Sequence, residues 1–316
     1  MTRTEKAVAR IKKPGLYTTV QDGGRVGFQK SGIVVSGAMD TYAYRMSNLL
    51  VGNVSYEAVL EVTLMGPTIE IVEDAVLSIC GGNLSPTLDG QPIEMWKAFR
   101  VKKNQTLSFG KPQSGARAYI AFQGGLSLPN VLGSYSTYEK ATIGGVEGRA
   151  LQKGDVLYQI PTQTSIRLRK CSNSLIPTYK KKSRIRVIAG PDEDRFTSSG
   201  RQTFWEHEYE VSVQSDRMGY RLVGPKIEHQ TSANILSDAV TFGTIQVPDD
   251  GYPIIMMADR QTTGGYTRIG TIISVDLPYV AQMKQGDVLQ FEQVSVETAQ
   301  QLYLQRESVL KTLAFF

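Results

Sequence analysis

Two short segments of this sequence occur twice, in the same order. LMGPTIEI at 64–71 recurs as LVGPKIEH at 222–229, and LQKGDVL at 151–157 recurs as MKQGDVL at 283–289. The glycines of the paired segments are 88 positions apart in the first half and 62 in the second. One such match would be chance, whereas two in one order indicate an internal duplication. The chain is therefore predicted to contain two related domains.

We place these domains at residues 1–175 and 180–316, joined by a basic linker at 170–184. Both are predicted to be mainly β, because short apolar runs alternate with turn signals about every ten residues. Asp89-Gly90 is one predicted hairpin turn, and Asp249-Asp250-Gly251 is another. Duplicated domains usually meet in a cleft, and binding sites favour domain interfaces. We therefore expect the site between the two halves.

Two helices interrupt the β pattern. Ala43, Met46 and Leu49 fall on one helical face, and Asp40 precedes them where an N-cap would stand. The segment 296–313 has apolar residues near helical spacing and predicts a C-terminal helix packed against a sheet.

The net charge of +5 is concentrated in two runs. Residues 1–13 carry a net +4 and residues 167–186 a net +8, so the remainder of the chain is net −7. Neither run is interleaved with aromatic residues as a nucleic-acid surface would be, so we expect no nucleic-acid partner. The two runs are predicted to be a solvated tail and a solvated linker.

Composition is that of a soluble globular protein, with 41% hydrophobic and 21% charged residues. No stretch approaches the roughly 18 consecutive apolar residues of a membrane span, and the first residues lack a signal-peptide pattern. We expect a cytoplasmic protein with no membrane partner.

Cysteines and histidines are too few for several kinds of site. Cys80, Cys171, His207 and His229 are the complete set, which disfavours a disulfide framework, a zinc site or a Ser-His-Asp triad. We predict no metal site, although one made of carboxylates alone stays open.

The segment after the apolar run 254–258 concentrates polar groups next to a predicted core strand. Its candidate residues are Asp259, Arg260, Gln261, Thr262, Gly264, Gly265 and Tyr266. Loops that carry function are typically held by a rigid scaffold, so this polar loop is the leading candidate site. The alternative is an ordinary hairpin tip in which Asp259 and Arg260 pair with each other.

Further candidates lie elsewhere in both halves. Arg217 follows a predicted strand in the second half, and Gln246 lies on another. In the first half, Asp40 is either a helix cap or a substrate ligand, and Gly124-Gly125 forms a tight turn or a close approach to a ligand. The turn is the favoured interpretation of the glycine pair.

Several linked motifs together resemble one known family. GLYTTVQDGGRVGFQKSGIVVSGAMD, LLVGN, LEVTLMGP, SDRMGYRL and ADRQTTGGY, spread over residues 14–292, are similar to the biotin-dependent carboxyltransferase domain family. That family includes allophanate hydrolase subunit 2, the carboxyltransferase region of urea amidolyase, and the C subunit (KipA-type) of prokaryotic 5-oxoprolinase. The resemblance implies two cyclophilin-like β-barrel domains.

Within the family, a chain without biotin carboxylase and biotinyl-carrier domains most resembles the 5-oxoprolinase protein. The resemblance then implies a hydrolase acting on a cyclic amide, which with the A and B (KipI-type) subunits opens 5-oxo-L-proline to L-glutamate at the expense of ATP. The chain has no Walker-type phosphate loop, so we expect ATP to be bound mainly elsewhere in the complex.

Two alternatives remain. One is a biotin-dependent carboxyltransferase, or allophanate hydrolase subunit 2, of urea breakdown, with biotin as cofactor. The other is a regulatory KipA-type protein that sequesters a KipI-type histidine-kinase inhibitor.

ATP-coupled opening of a lactam needs a carboxylate, a cation for developing negative charge, and amide or backbone donors. We assign the catalytic roles to Asp259, Arg260 and Asp40. The predicted substrate-binding residues are Gln246, Gln261, Thr262, Gly264, Gly265, Tyr266, Arg45, Gly124, Gly125 and Arg217.

Overall fold

The computed structural model describes residues 5–159 and 167–314. The strands of the first part of the chain are β1 (Lys6–Lys13), β2 (Tyr17–Gln21), β3 (Val59–Thr63), β4 (Thr68–Ile71), β5 (Ala75–Asn83), β6 (Pro86–Leu88), β7 (Gln91–Pro92), β8 (Ala98–Val101), β9 (Thr106–Phe109), β10 (Ser114–Phe122) and β11 (Val156–Gln159). Those of the second part are β12 (Lys182–Ala189), β13 (Glu208–Val211), β14 (Gly219–Val223), β15 (Asn234–Ala239), β16 (Thr244–Val247), β17 (Ile254–Met256), β18 (Thr263–Ile272) and β19 (Val288–Gln293). The α-helices are α1 (Thr41–Leu50), α2 (Ser198–Glu206), α3 (Leu277–Ala281) and α4 (Val296–Ala314).

The described residues divide into two compact units. The first unit takes its residues from 1–25, 36–179 and 312–316, and the second from 26–35 and 180–311. The architecture is mainly β with a closed barrel and a C-terminal helix, which confirms the predicted mainly β class.

The first unit contains two sheets around one apolar core. One sheet has the strand order β11-β1-β4-β9-β6-β7 and the other the order β2-β3-β10-β5-β8. Fully buried side chains from both sheets, such as Ile11, Ile69, Leu60 and Ile120, belong to the same core cluster. Helix α1 packs on β5 and β10 and buries Ala43, the first residue of its predicted apolar face.

The described strands of the first unit form two sheets, between which the chain passes at sharp corners, whereas a barrel was expected. Leu64 and Ser85 have φ values of 56° and 53°, in the left-handed region that L-residues rarely adopt. Leu64 separates β3 from β4, and Ser85 separates β5 from β6, and each of these strand pairs is divided between the two sheets. The chain therefore passes from one sheet to the other at both corners.

The second unit contains a closed barrel of seven strands. The order is β12-β19-β13-β14-β17-β16-β18, and β18 pairs back with β12. Strand β15 is added outside the closed ring, on β18. The predicted hairpin forms as β16 and β17, with Ile245 opposite Ile255.

The two copies of the Gly-Asp-Val repeat fold into the same turn. Gly154 donates its N–H to Ile11 O at 2.8 Å, and Asp155 O accepts from Ile11 N–H at 2.9 Å. In the second unit Gly286 and Asp287 make the same two bonds to Val211, at 3.1 and 2.9 Å. Equivalent turns followed by the equivalent strands β11 and β19 are what a duplicated segment would produce.

The basic run at the N-terminus is not a solvated tail, because its described part is a strand. Val8, Ala9 and Ile11 are fully buried in β1, while Lys12 and Lys13 are exposed. The lysines and arginines thus occupy the outer face of an alternating strand. The prediction of a solvated tail was wrong, because the basic residues are interspersed with buried apolar ones, as in a strand with one face on the core.

The C-terminal helix is present but packs through a narrow stripe. Leu310 is the one residue of α4 that is buried within the described ranges, whereas Leu304 is 66% exposed. Arg306 Nη1 also donates to Ser274 O at 2.9 Å. No described helix is long and apolar enough to cross a membrane.

Candidate functional site

Asp259 and Arg217 form a buried, bidentate ion pair. Arg217 Nε and Nη2 donate to Asp259 Oδ2 and Oδ1 at 2.9 and 3.1 Å, and both residues are less than 9% exposed. Strand register explains the contact: Gly219 in β14 lies opposite Met256 in β17, and Asp259 N–H donates to Arg217 O at 2.8 Å. The carboxylate is therefore oriented by Arg217 and not by Arg260, its neighbour in sequence.

Arg260 is a buried cation held by carbonyl groups. Its Nε donates to Val240 O at 3.1 Å and its Nη1 to Met257 O at 3.5 Å, and the guanidinium lies 5.8 Å from the centre of the Phe242 ring. Burial lowers the pKa of Arg260 to about 10, and the nearby negative charge of Asp259 opposes that shift. The side chain stays cationic at neutral pH. Within the described ranges no carboxylate lies within 4.0 Å of it, so the site can accept an anion.

The glycines predicted in the polar loop belong to a strand. Strand β18 begins at Thr263, so Gly264 and Tyr266 pair with β15, with Gly265 between them, instead of forming a hairpin tip. A Cβ on Gly264 would stand 2.4 Å from Gln246 Nε2, so glycine here permits the close approach of a neighbouring side chain. Gln246 Nε2 itself donates to Tyr266 O at 3.2 Å.

Val240 connects this strand with the charged pair. Its carbonyl accepts from Arg260, its N–H donates to Thr262 O at 3.1 Å, and its Cγ2 would lie 3.0 Å from a Cβ on Gly264. The structure thus brings most of the second-half candidates into one neighbourhood. Gln261 is exposed and Tyr266 is 40% exposed, so they mark its solvent side.

Asp40 caps helix α1 from a fully buried position. Its Oδ1 accepts from Ala43 N–H at 2.8 Å, and its Oδ2 accepts from the Tyr179 hydroxyl at 3.0 Å. Tyr119 joins the network, because its hydroxyl accepts from Asp40 N–H at 2.7 Å and donates to Glu61 at 2.8 Å. The predicted cap is present; a catalytic role for Asp40 stays a prediction.

The Gly124-Gly125 pair forms a tight turn with φ values of 83° and 76°. Gly124 N–H donates to Asn53 Oδ1 at 2.7 Å, and a Cβ on Gly125 would stand 2.8 Å from Glu57 Oε2. The turn therefore lies directly against a carboxyl group. Burial raises the pKa of Tyr44, the negative charges of Asp22 and Glu57 raise it further, and the positive charge of Arg45 opposes the shift. Arg45 and the glycine pair thus share a neighbourhood with Tyr44 and Glu57.

Sequence reasoning missed several polar residues of the first unit. Asp22 is not among the predicted site residues, yet its Oδ1 accepts from both the Ser134 hydroxyl, at 2.6 Å, and the Ser136 hydroxyl, at 2.5 Å. Arg25 is fully buried and donates to Val131 O at 3.0 Å. These bonds span more than 100 positions, so no local sequence pattern could have paired the residues. The one sequence signal for them was the presence of polar residues beside glycines just after β2.

The candidates fall into a second-unit group around Asp259, Arg260 and Gln246 and a first-unit group around Arg45 and Gly124-Gly125. The described residues contain no group of three His, Cys, Asp or Glu side chains placed to hold a metal ion. What the second-unit group can do is bind an anion at Arg260 beside an oriented carboxylate.

Comparison with known proteins finds relatives that are similar to this chain over nearly its whole length. The chain is 39% identical over 312 residues to the C subunit of 5-oxoprolinase from Escherichia coli (strain K12), covering 97% of each chain. It is 36% identical over 328 residues to urea amidolyase of Saccharomyces cerevisiae, covering 98% of this chain and 18% of that protein. The crystal structure of the K. lactis urea amidolyase superposes with a TM-score of 0.93 at 31% identity, over 98% of this chain and 20% of that one.

The family model described as carboxyltransferase domain, subdomain A and B, matches residues 31–293. The chain belongs to the carboxyltransferase domain (subdomain A and B) family.

Proposed function

We propose that this chain is the C subunit of an ATP-dependent 5-oxoprolinase complex, which opens 5-oxo-L-proline to L-glutamate. The observation that carries the proposal is the match to the Escherichia coli protein, because it extends over 97% of both chains. The relatives named urea amidolyase are matched over only about a fifth of their length.

Arg260 suits the negative charge of this substrate. 5-Oxoproline carries a carboxylate, and opening its amide places further negative charge on the former carbonyl oxygen. A buried guanidinium held by carbonyl oxygens, with no carboxylate in contact among the described residues, favours an anion strongly because little water competes for it. We assign Arg260 to binding this charge.

Asp259 is the carboxylate beside it. Arg217 occupies one side of each Asp259 oxygen, and an ionised carboxylate has about four acceptor positions in all. Lone pairs therefore remain for a substrate N–H or a water molecule, and the side chain cannot rotate away. This arrangement fits a general base or a positioning carboxylate.

The N-termini of α1 and α2 fit a nucleotide phosphate poorly. The Asp40 carboxylate fills the N-terminus of α1, and the Thr197 hydroxyl caps that of α2. An acid at the N-terminus repels a phosphate that would otherwise bind there. We propose that ATP, which would activate the lactam oxygen by phosphoryl transfer, is bound mainly by the partner A and B (KipI-type) subunits, and that the complex works in the cytoplasm.

The test is reconstitution of the complex from this chain and its co-encoded partners. Glutamate formation from 5-oxoproline, dependent on ATP, is the expected result, and its absence from an assembled complex would refute the proposal. Arg260→Gln removes the cation but keeps amide donors, so we expect the KM for 5-oxoproline to rise at least tenfold. Arg221→Gln, at an exposed arginine of β14, is the matched control and should leave KM unchanged.

Urea carboxylation is the second candidate, supported by the TM-score of 0.93 to the K. lactis urea amidolyase. It predicts that this chain, with its partner proteins, binds biotin. Calorimetry in which biotin gives no heat of binding would count against it.

A further inference from the structure

The ring of Phe242 lies beside the guanidinium of Arg260. Arg260 Cζ is 5.8 Å from the centre of the ring, within the roughly 6 Å at which an aromatic face attracts a cation. Within the described ranges no other cation and no aromatic ring pairs with Phe242, which is half-buried. Phe242 is not among the predicted site residues. Arg260 is therefore the residue on which an electrostatic role of this ring would act.

The two carbonyl groups that bind Arg260 do not by themselves fix the plane of its guanidinium. The bond from Nε to Val240 O, at 3.1 Å, has an ordinary length. The bond from Nη1 to Met257 O is 3.5 Å long, beyond the usual range of about 2.7–3.2 Å. The weaker bond only slightly opposes rotation of the group about the direction of the stronger one. A ring against the guanidinium supplies a third contact that restricts this rotation.

The remaining nitrogen of Arg260 is left for a ligand. Within the described ranges Nη2 makes no hydrogen bond, and it is not one of the polar atoms that are closed off from solvent without a partner. The five N–H donors of a guanidinium form a rigid planar fork, so the direction of Nη2 follows from the plane of the group. The contact that sets this plane therefore also sets where an anion oxygen would bind.

One short segment carries both the ring and a carbonyl that binds Arg260. Val240 supplies the oxygen that accepts from Nε, and Phe242 follows two positions later. Gly243 N–H donates to Met256 O in β17 at 2.8 Å, and Gly243 O accepts from Ile272 N–H in β18 at 2.9 Å. The backbone after Phe242 is thus bonded to two strands of the closed barrel.

A turn between two threonines fixes the backbone on both sides of the ring. Thr244 N–H donates to Thr241 O at 3.2 Å, Thr241 N–H donates to Thr244 Oγ1 at 3.2 Å, and the two hydroxyl oxygens are 2.9 Å apart. Gly243 has a φ of +89°, and a Cβ there would stand 2.8 Å from Leu277 Cδ2, so glycine lets this turn pack on α3. Phe242 therefore projects from a rigid support.

We propose that Phe242 is a positioning residue for Arg260, whose ring holds the guanidinium in the plane that directs Nη2 at a bound anion. This inference rests on the proposed function, in which the anion is 5-oxoproline. It adds a residue that acts on the substrate only through Arg260. The alternative is that Phe242 merely fills space beside the arginine. Leucine fills similar space but has no aromatic face, whereas tyrosine keeps one.

The test compares three replacements of Phe242 in the assembled complex. They are Phe242→Leu, Phe242→Tyr, and a trifluorinated phenylalanine introduced at the same position, which keeps the ring shape but withdraws electron density from its face. The dissociation constant of 5-oxoproline is measured by calorimetry without ATP, and KM and kcat are measured with ATP. Because the fluorinated ring leaves no cavity, a loss of affinity in that variant reports the electrostatic contact.

We expect Phe242→Leu and the fluorinated ring to raise the dissociation constant and the KM by about three- to thirtyfold, with kcat unchanged. Phe242→Tyr should stay within twofold of wild type. Phe99→Leu is the matched control, because Phe99 is also half-buried but has no cation against its ring among the described residues. Wild-type affinity in the fluorinated variant would overturn the proposal, as would an equal loss in Phe99→Leu.

A double-mutant cycle tests whether Phe242 acts through Arg260. In the Arg260→Gln background the guanidinium is gone, so Phe242→Leu should change the dissociation constant and the KM by less than twofold. The same fold-change in both backgrounds would mean that Phe242 acts independently of Arg260, and the proposal would fail.

An NMR measurement on the full chain separates this inference from the proposed reaction. The probe is acetate, the simplest carboxylate, and the readout is the Nε–H signal of Arg260, assigned by its loss in Arg260→Gln. Acetate should shift this signal in wild type, and with at least threefold lower affinity in Phe242→Leu, even if the complex makes no glutamate. A wild-type signal that acetate does not shift would overturn the inference. If glutamate forms and the KM is unchanged in Phe242→Leu and in the fluorinated variant, the reaction stands and the inference fails.

Discussion

At the scale of single residues, the main lesson concerns what Asp259 touches. Adjacent residues of opposite charge suggest a local pair, yet Arg260 turns to the carbonyl groups of Val240 and Met257 while Arg217 binds the carboxylate. Arg217 is 42 positions away, and only the register of β14 against β17 brings it there. Candidate residues could thus be chosen from composition and position, but their partners could not.

Removal of the Arg217 side chain should be costly, because it leaves the Asp259 carboxylate buried and uncompensated. We expect Arg217→Met to lower the free energy of unfolding by about 3–5 kcal/mol, as for other broken buried pairs. Arg10→Met is the control: Arg10 pairs with Glu70 at 3.6 Å with its side chain 49% exposed, and such surface pairs contribute about 0–1 kcal/mol. Urea denaturation measures the free energy of unfolding of both variants. Equal losses would contradict the assignment of Arg217 and Asp259 as a buried ion pair.

At the scale of elements, short signals such as helix caps and turn residues predicted the structure well. The boundaries of a longer strand were predicted less well. Helix α1 begins after its predicted cap, because the Asp40 carboxylate satisfies a free N–H of the first turn. The Asp89-Gly90 turn has φ values of 49° and 80°, as the two-residue hairpin between β6 and β7 requires. The start of β18 at Thr263 was missed, because glycines and threonines that signal a loop are here accommodated by the close packing of Gln246.

The duplicated turn gives a matched test of backbone conformation. Gly154 and Gly286 have φ values of 99° and 82°, and nothing lies within 4 Å of where a Cβ would be. We expect Gly154→Ala and Gly286→Ala each to cost about 1–2 kcal/mol, the usual cost of left-handed backbone. Gly23→Ala is the control, since that site is equally open but has no positive φ. Chemical denaturation should show little change for Gly23→Ala, and similar losses at all three positions would contradict the explanation.

At the scale of the whole molecule, the predicted domain division can be tested with two natural probes. The chain has two tryptophans: Trp96 is in the first unit and Trp205 in the second. Each tryptophan is followed alone, in a variant whose other tryptophan is replaced by phenylalanine. If the units unfold separately, Gly286→Ala should shift the unfolding midpoint reported by Trp205 in the Trp96→Phe background. The midpoint reported by Trp96 in the Trp205→Phe background should stay unchanged. Gly154→Ala should do the reverse. Equal shifts of both probes would show one cooperative unit instead.

The bond between Tyr179 and Asp40 bears on how the chain is synthesised. Tyr179 is the last residue of the main segment of the first unit, and its hydroxyl reaches back 139 positions to the cap of α1. A nascent chain emerges N-terminus first, so the cap network cannot be completed until residue 179 has left the ribosome. The predicted basic linker at 170–184 thus includes a residue of the first unit, and a stop codon or a gene fusion placed just before codon 179 would release a first unit in which Asp40 Oδ2 lacks this donor.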